Sequence, residues 1–126
     1  MAFLLDTHAF LWFVAGDSQL PDTVKSKITD INESCFLSVA SLWEITIKQQ
    51  LGKLTLGITL EELFDYADRN QIEILQITYE HFLTLSQLPS HHNDPFDRLI
   101  VSQAIAENLT LISRDKALKK YTVKQQ

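Results

Sequence analysis

Short apolar runs alternate along the chain with longer stretches in which apolar and polar residues recur at helical spacing. Residues 3–5, 35–38, 72–77 and 110–113 are compact and apolar enough for buried strands. Between them the 3.6-residue period predicts helices. The first covers 8–15 and ends at Gly16, and the second is opened by Pro21 and runs to about 31. A third covers 40–51 and ends at Gly52, and a fourth starts from the capping box Thr59-Leu-Glu-Glu62 and reaches about 70. A fifth covers 78–88 and stops before Pro89, and a sixth is entered at Pro95 and runs to 107. Residues 17–20 and 89–94 are polar loops. A short helical turn at 116–119 and an edge strand at Thr122-Val123 complete the pattern. Strands separated by helices predict an α/β fold with a mostly parallel sheet covered on both faces. Ligands of such sheets collect outside the carboxyl ends of the strands.

The 126 residues carry no internal repeat, low-complexity segment or linker, so a single domain over 1–126 is expected. An apolar fraction of 45 % with dispersed charge fits a globular chain. The net charge of −5 excludes a strongly basic nucleic-acid coat, but not a nucleic-acid enzyme whose metal ions supply the positive charge. Cys35 is the lone cysteine and forms no internal disulfide, which makes the reducing cytoplasm the expected compartment. Neither a signal peptide nor a run long enough to span a bilayer is visible.

Against this background one stretch stands out. In "FLLDTHAFLW" a carboxylate, Asp6, interrupts two apolar runs, at the carboxyl end of the first strand. A buried charge is costly unless it is paired or binds a metal. Three more acids occupy similar places. Glu44 follows the second strand, Asp97 lies in the first turn after Pro95, and Asp115 follows the fourth strand. Carboxylates gathered at one sheet edge repel, and a divalent cation removes the conflict. All-oxygen ligands suit Mg²⁺ or Mn²⁺, which can acidify a water and stabilise charge on a phosphoryl oxygen.

Each acid also has a structural role open to it. Ser41-Leu-Trp-Glu44 fits a capping box, and Asp94-Pro-Phe-Asp97 fits the same pattern with Asp94 as the cap. Asp115 can begin a turn, and Asp6 or Thr7 can cap the first helix. Position favours capping for Asp94 and function for Asp6; spacing alone leaves Glu44, Asp97 and Asp115 balanced. His91-His92 lacks partners at zinc spacing and is expected as a solvated loop. His8 and His81 are expected as surface or packing residues, and Trp12 and Trp43 as core. Lys48 is one turn from Glu44 and suited to an i, i+4 pair. Arg98, Arg114 and Lys116 flank the acids and either hold phosphates or form a solvated face.

The segments "LLDTHAFLW", "SVASLWEITIK", "HHNDPFDRLIVSQA" and "LTLISRD" resemble, in order and over nearly the whole chain, four landmark segments of PIN-domain proteins, above all VapC-type toxins of toxin–antitoxin pairs. The resemblance implies an α/β/α sandwich and metal-dependent hydrolysis of single-stranded RNA. It implies Asp6, Glu44, Asp97 and Asp115 as catalytic metal ligands for Mg²⁺ or Mn²⁺, with Ser113 near the site. It further implies a homodimer and a small antitoxin that blocks the crevice. Two alternatives differ in role: a housekeeping RNA-processing nuclease, and a non-catalytic module whose acidic crevice docks a basic peptide. Growth arrest relieved by a neighbouring gene separates the first from a toxin, and a ribonuclease assay with and without metal decides the second.

Overall fold

The structure, a computed structural model, describes residues 2–115 and residue 118. In chain order it runs β1 (Ala2–Leu5), α1 (Thr7–Ala15), α2 (Asp22–Thr29), β2 (Ser34–Ser38), α3 (Val39–Gln50), α4 (Leu60–Arg69), β3 (Ile72–Leu75), α5 (Tyr79–Ser86), α6 (Pro95–Ala106) and β4 (Thr110–Ile112). The four strands form one parallel sheet in the order β3-β2-β1-β4. Phe3 faces Cys35 on one side and Thr110 on the other, and two residues on Leu5 faces Leu37 and Ile112.

The pleat sends alternate side chains to opposite faces, and two cores result. Phe3, Leu5, Cys35, Leu37, Ile72 and Ile112 pack with Phe10, Phe13, Ile45 and Leu63 of α1, α3 and α4. Leu4, Phe36, Leu75 and Leu111 pack on the other face with Leu99, Ile100, Val101 and Ala104 of α6 and with Leu85 of α5. This is the expected α/β/α layering, and it explains why the strand runs are apolar without alternation. β1 is central, and both faces of it are fully covered: Phe3, Leu4 and Leu5 are buried. Each contributes about 1.5–3 kcal/mol of burial.

The predicted boundaries shift by a few residues at most. α1 ends where expected because Gly16, at φ +65°, takes the left-handed cap conformation and donates to the Phe13 carbonyl. β3 stops at Leu75, two residues early, and Ile77 packs into the second core from the connection. Pro21 occupies the cap position of α2 rather than its first turn. The larger correction is α3. Ser38 is both the last residue of β2 and the cap of α3, its Oγ accepting from the Ala40 N–H at 3.0 Å. Strand passes into helix with no loop, so Ser41 is not a cap and Glu44 lies well inside the helix. The helical turn and edge strand expected beyond residue 115 lie outside the described residues, except that Leu118 is buried in the second core.

Candidate metal centre

β1 and β4 are neighbours, but the chain leaves them toward opposite layers. α1 packs in the first core, whereas Leu118, after β4, packs in the second. Ligands of parallel sheets collect at such a divergence, outside the carboxyl ends of the strands, and Asp6 directly follows β1 there. The Asp6 N–H donates to the Ile112 carbonyl at 3.0 Å, which extends the β1–β4 ladder by one residue. The carboxylate is only 4 % exposed. Oδ1 accepts from the Ala9 N–H at 2.7 Å and so caps α1, and Oδ2 accepts from Ser113 Oγ at 2.5 Å. Burial outweighs these bonds and raises its pKa. Of the two roles weighed for Asp6 the structure shows the cap: Oδ1 closes the start of α1, and Oδ2 is held by Ser113. Ser113 Oγ also accepts from the Asp115 N–H at 3.1 Å, tying the loop after β4 to the same point.

Glu44 is the second buried acid, 2 % exposed. Oε1 is 2.7 Å from Thr7 Oγ1, and Oε2 receives Lys48 Nζ at 2.6 Å. Thr7 opens α1 directly after Asp6 and also lies 2.9 Å from Ser41 Oγ. Asp6-Thr7 thus couples the first helix to Glu44 on α3. The Lys48–Glu44 pair is the i, i+4 contact expected, and it raises the Lys48 pKa.

The loop before α6 supplies the rest. Asp94 Oδ1 accepts from both Phe96 N–H (2.8 Å) and Asp97 N–H (3.1 Å), which makes it the cap of α6, with Pro95 at the first position. Asp97, one turn in, is partly buried. Burial first, then the charges of Asp94, Glu44 and Asp6, push its pKa up to about 7, partly offset by His92. The acids on three separate elements are thus close enough to load one another electrostatically, and Asp115 likewise raises Asp6. Asp94→Ala should cost about 0.5–2 kcal/mol, the usual range for losing a cap, as a lowered melting temperature.

His92 departs from its expected place in a solvated loop. Its Nε2 lies 3.1 Å from Asp115 Oδ2 and 3.3 Å from Asp97 Oδ2, and its Nδ1 accepts from the Asp94 N–H at 2.9 Å. A signal was available: His92 lies two residues before a cap, so the turn that presents Asp94 to α6 also folds residue 92 back beside the first helical turn. Other expectations also change. Trp43 is 58 % exposed and meets Phe96 edge-on at 5.1 Å instead of entering the core. His81, by contrast, is the packing residue expected: it is fully buried, and its Nδ1 accepts from the Thr78 N–H to close the start of α5. Arg98 donates to the Pro89 and Leu88 carbonyls at 3.0 and 3.4 Å, holding the loop before α6. Arg114 is exposed at the rim, and Lys116 lies outside the described residues.

Asp97 and Asp115, whose oxygens lie within 4.8 Å of each other and of His92, with the charges of Glu44 and Asp6 acting on Asp97, form a candidate donor set. Hard, anionic and mutually repelling, it fits a divalent cation such as Mg²⁺ or Mn²⁺ by its chemistry.

A parallel α/β sheet with acids gathered at a divergence of its strand ends defines the structural class. The PIN domain family model matches residues 3–124, and the chain belongs to that family. Solved structures share the fold at low identity. VapBC2 from Rickettsia felis, bound to a DNA fragment from their promoter, matches with a TM-score of 0.76 and 18 % identity over 100 % of this chain and 98 % of that one. VapBC-1 from nontypeable Haemophilus influenzae gives 0.71 and 15 % over 100 % and 97 %. A toxin–antitoxin complex from Klebsiella pneumoniae gives 0.59 and 16 % over 89 % and 85 %. No curated protein matches in sequence.

Proposed function

We propose that residues 1–126 act as one metal-dependent endoribonuclease that hydrolyses single-stranded RNA, the VapC-type toxin of a toxin–antitoxin pair. The observation that carries this reading is the gathering of Asp97 with Asp115 and His92, their ligand atoms within 4.8 Å of one another, where burial and then the charges of Asp94, Glu44 and Asp6 raise the Asp97 pKa to about 7. Asp94 and Asp6 cap helices, but capping gives no reason to set Asp97 and Asp115 beside them, where like charges repel. Family membership and the likeness to VapBC and toxin–antitoxin structures support the same reading.

In the proposed mechanism Asp6, Glu44, Asp97 and Asp115 are the catalytic groups, and they hold Mg²⁺ or Mn²⁺. The bound cation supplies an acidified water and charge neutralisation at the phosphoryl oxygens. Ser113 and the Ala9 N–H fix the Asp6 carboxylate, and Thr7 fixes that of Glu44. Lys48, partly exposed at the crevice and held by Glu44, brings positive charge toward the scissile phosphate.

The partner in this reading is a small antitoxin that sets a basic side chain, best an arginine, against the acids. A desolvated arginine–carboxylate contact is strong and displaces metal and substrate. The chain is read as a cytoplasmic homodimer. Among the described residues no helix is long and apolar enough to cross a membrane.

The test is cleavage of a labelled panel of single-stranded RNA, duplex RNA and single-stranded DNA by the purified chain freed of partner. Excess chelator should abolish cleavage of single-stranded RNA, and added Mg²⁺ or Mn²⁺ should restore it. Undiminished cleavage in chelator contradicts the mechanism. Co-purification from the native host should give a stoichiometric small inhibitor. Isolation always alone, with no inhibition by the neighbouring gene product, contradicts the toxin role and leaves a housekeeping nuclease.

A further inference from the structure

Both ring nitrogens of His92 are engaged, and together these contacts fix its chemistry. Nδ1 accepts a hydrogen bond from the Asp94 N–H at 2.9 Å, so its lone pair is engaged and it carries no proton. A neutral imidazole then has its proton on Nε2, which points between Asp115 Oδ2 at 3.1 Å and Asp97 Oδ2 at 3.3 Å. The three atoms lie within 4.8 Å of one another. They look like a three-residue metal site, but Nε2 in this tautomer has no lone pair to offer a cation. It is a donor shared by two acceptors that repel each other. Asp97 stands on the first turn of α6, and Asp115 on the loop after β4 with its side chain 39 % exposed. Without a donor between them, repulsion and hydration favour turning Asp115 out to solvent.

We propose that His92 is a positioning residue of the metal centre: its Nε2–H draws Asp97 and Asp115 together, in the tautomer that the Asp94 N–H selects. The inference rests on the metal-binding reading above. Donors behind metal-ligating carboxylates orient them, and losing one typically costs about 10–100-fold in metal affinity. Asp94 acquires a second task, since the residue whose side chain caps α6 also presents the backbone N–H that sets the histidine's tautomer.

Two substitutions separate the two contacts. His92→Gln carries an amide N–H₂ to about the reach of Nε2 and lacks the Nδ1 acceptor. His92→Asn carries an acceptor to about the reach of Nδ1 and lacks the distal donor. The measurement is a calorimetric titration of the full chain with Mn²⁺, with melting curves in chelator to establish that each variant is folded. His92→Asn and His92→Ala should bind Mn²⁺ about 10–100-fold more weakly than wild type, and His92→Gln should lie closer to wild type than to His92→Asn. If His92→Asn retains wild-type affinity and His92→Gln loses it, His92 serves the loop and not the acids, and the inference fails. Equal affinity in all variants overturns it as well, while leaving the metal reading standing. A wild-type chain that takes up no Mn²⁺ overturns both.

Discussion

Asp97→Asn should abolish RNA cleavage while leaving the metal-free protein as stable as wild type or slightly more so. The first effect follows from ligand chemistry. An amide is a poorer donor than a carboxylate for a hard cation, and a bound metal supplies several kcal/mol of transition-state stabilisation. At 1.36 kcal/mol per tenfold, losing about 4 kcal/mol slows cleavage about a thousandfold. The second effect follows from the raised pKa. The ordinary value is 3.8 and the folded value about 7, so between these limits the native state holds a proton that the unfolded chain releases. Stability contributed by this group therefore falls as pH rises from about 4 to 7, and the full penalty stands above pH 7. Asparagine never ionises and escapes that penalty. Melting curves in chelator at pH 5 and pH 8 should show the variant gaining on wild type at the higher pH, and a cleavage rate in Mg²⁺ should show the loss. A variant that cleaves normally, or that loses stability at pH 8 relative to pH 5, contradicts the role given to Asp97.

Asp6→Asn should lose cleavage to a similar extent, by the same weakening of a hard-cation ligand, about a thousandfold. Its stability should stay near wild type for a different reason. The amide oxygen can keep the bond from the Ala9 N–H that caps α1, and the neutral group no longer bears the cost of ionising where it is buried. Asp6→Ala provides the contrast. It removes both the ligand and the cap, so about 0.5–2 kcal/mol of stability should go with the activity. Paired rates and melting temperatures for the two variants check this. If Asp6→Asn cleaves at the wild-type rate, Asp6 is a cap and nothing more.

Most of the architecture was legible in the residue pattern because strands such as β1 and β4 are buried on both faces and helices such as α4 on one. Runs such as Phe3-Leu4-Leu5 permit no other placement. The division of "NDPFD" was legible as well: Pro95 at a first helical position makes Asp94 the cap and leaves Asp97 on the helix. Glu44 was harder. Ser41-x-x-Glu44 satisfies the capping pattern, but Ser38 ends the strand and starts the helix at once, and only the β2–α3 junction reveals that. His92 was misread because its partners are 5 and 23 residues away, the second on the loop after β4 beyond the whole of α6. Trp43 was misplaced because a periodic apolar pattern does not tell a core residue from one at the rim of a crevice, where it packs on Phe96 with most of its surface in water.

The proposed cation lies between Asp6, just past the end of β1, and Asp97 on α6. Anomalous diffraction from crystals grown with Mn²⁺ tests this directly. A peak should appear in the crevice about 2.0–2.2 Å from carboxylate oxygens of both residues, and it should vanish in crystals of Asp97→Asn. A crevice that holds no peak in the wild-type protein, or a peak that survives unchanged in Asp97→Asn, would contradict it.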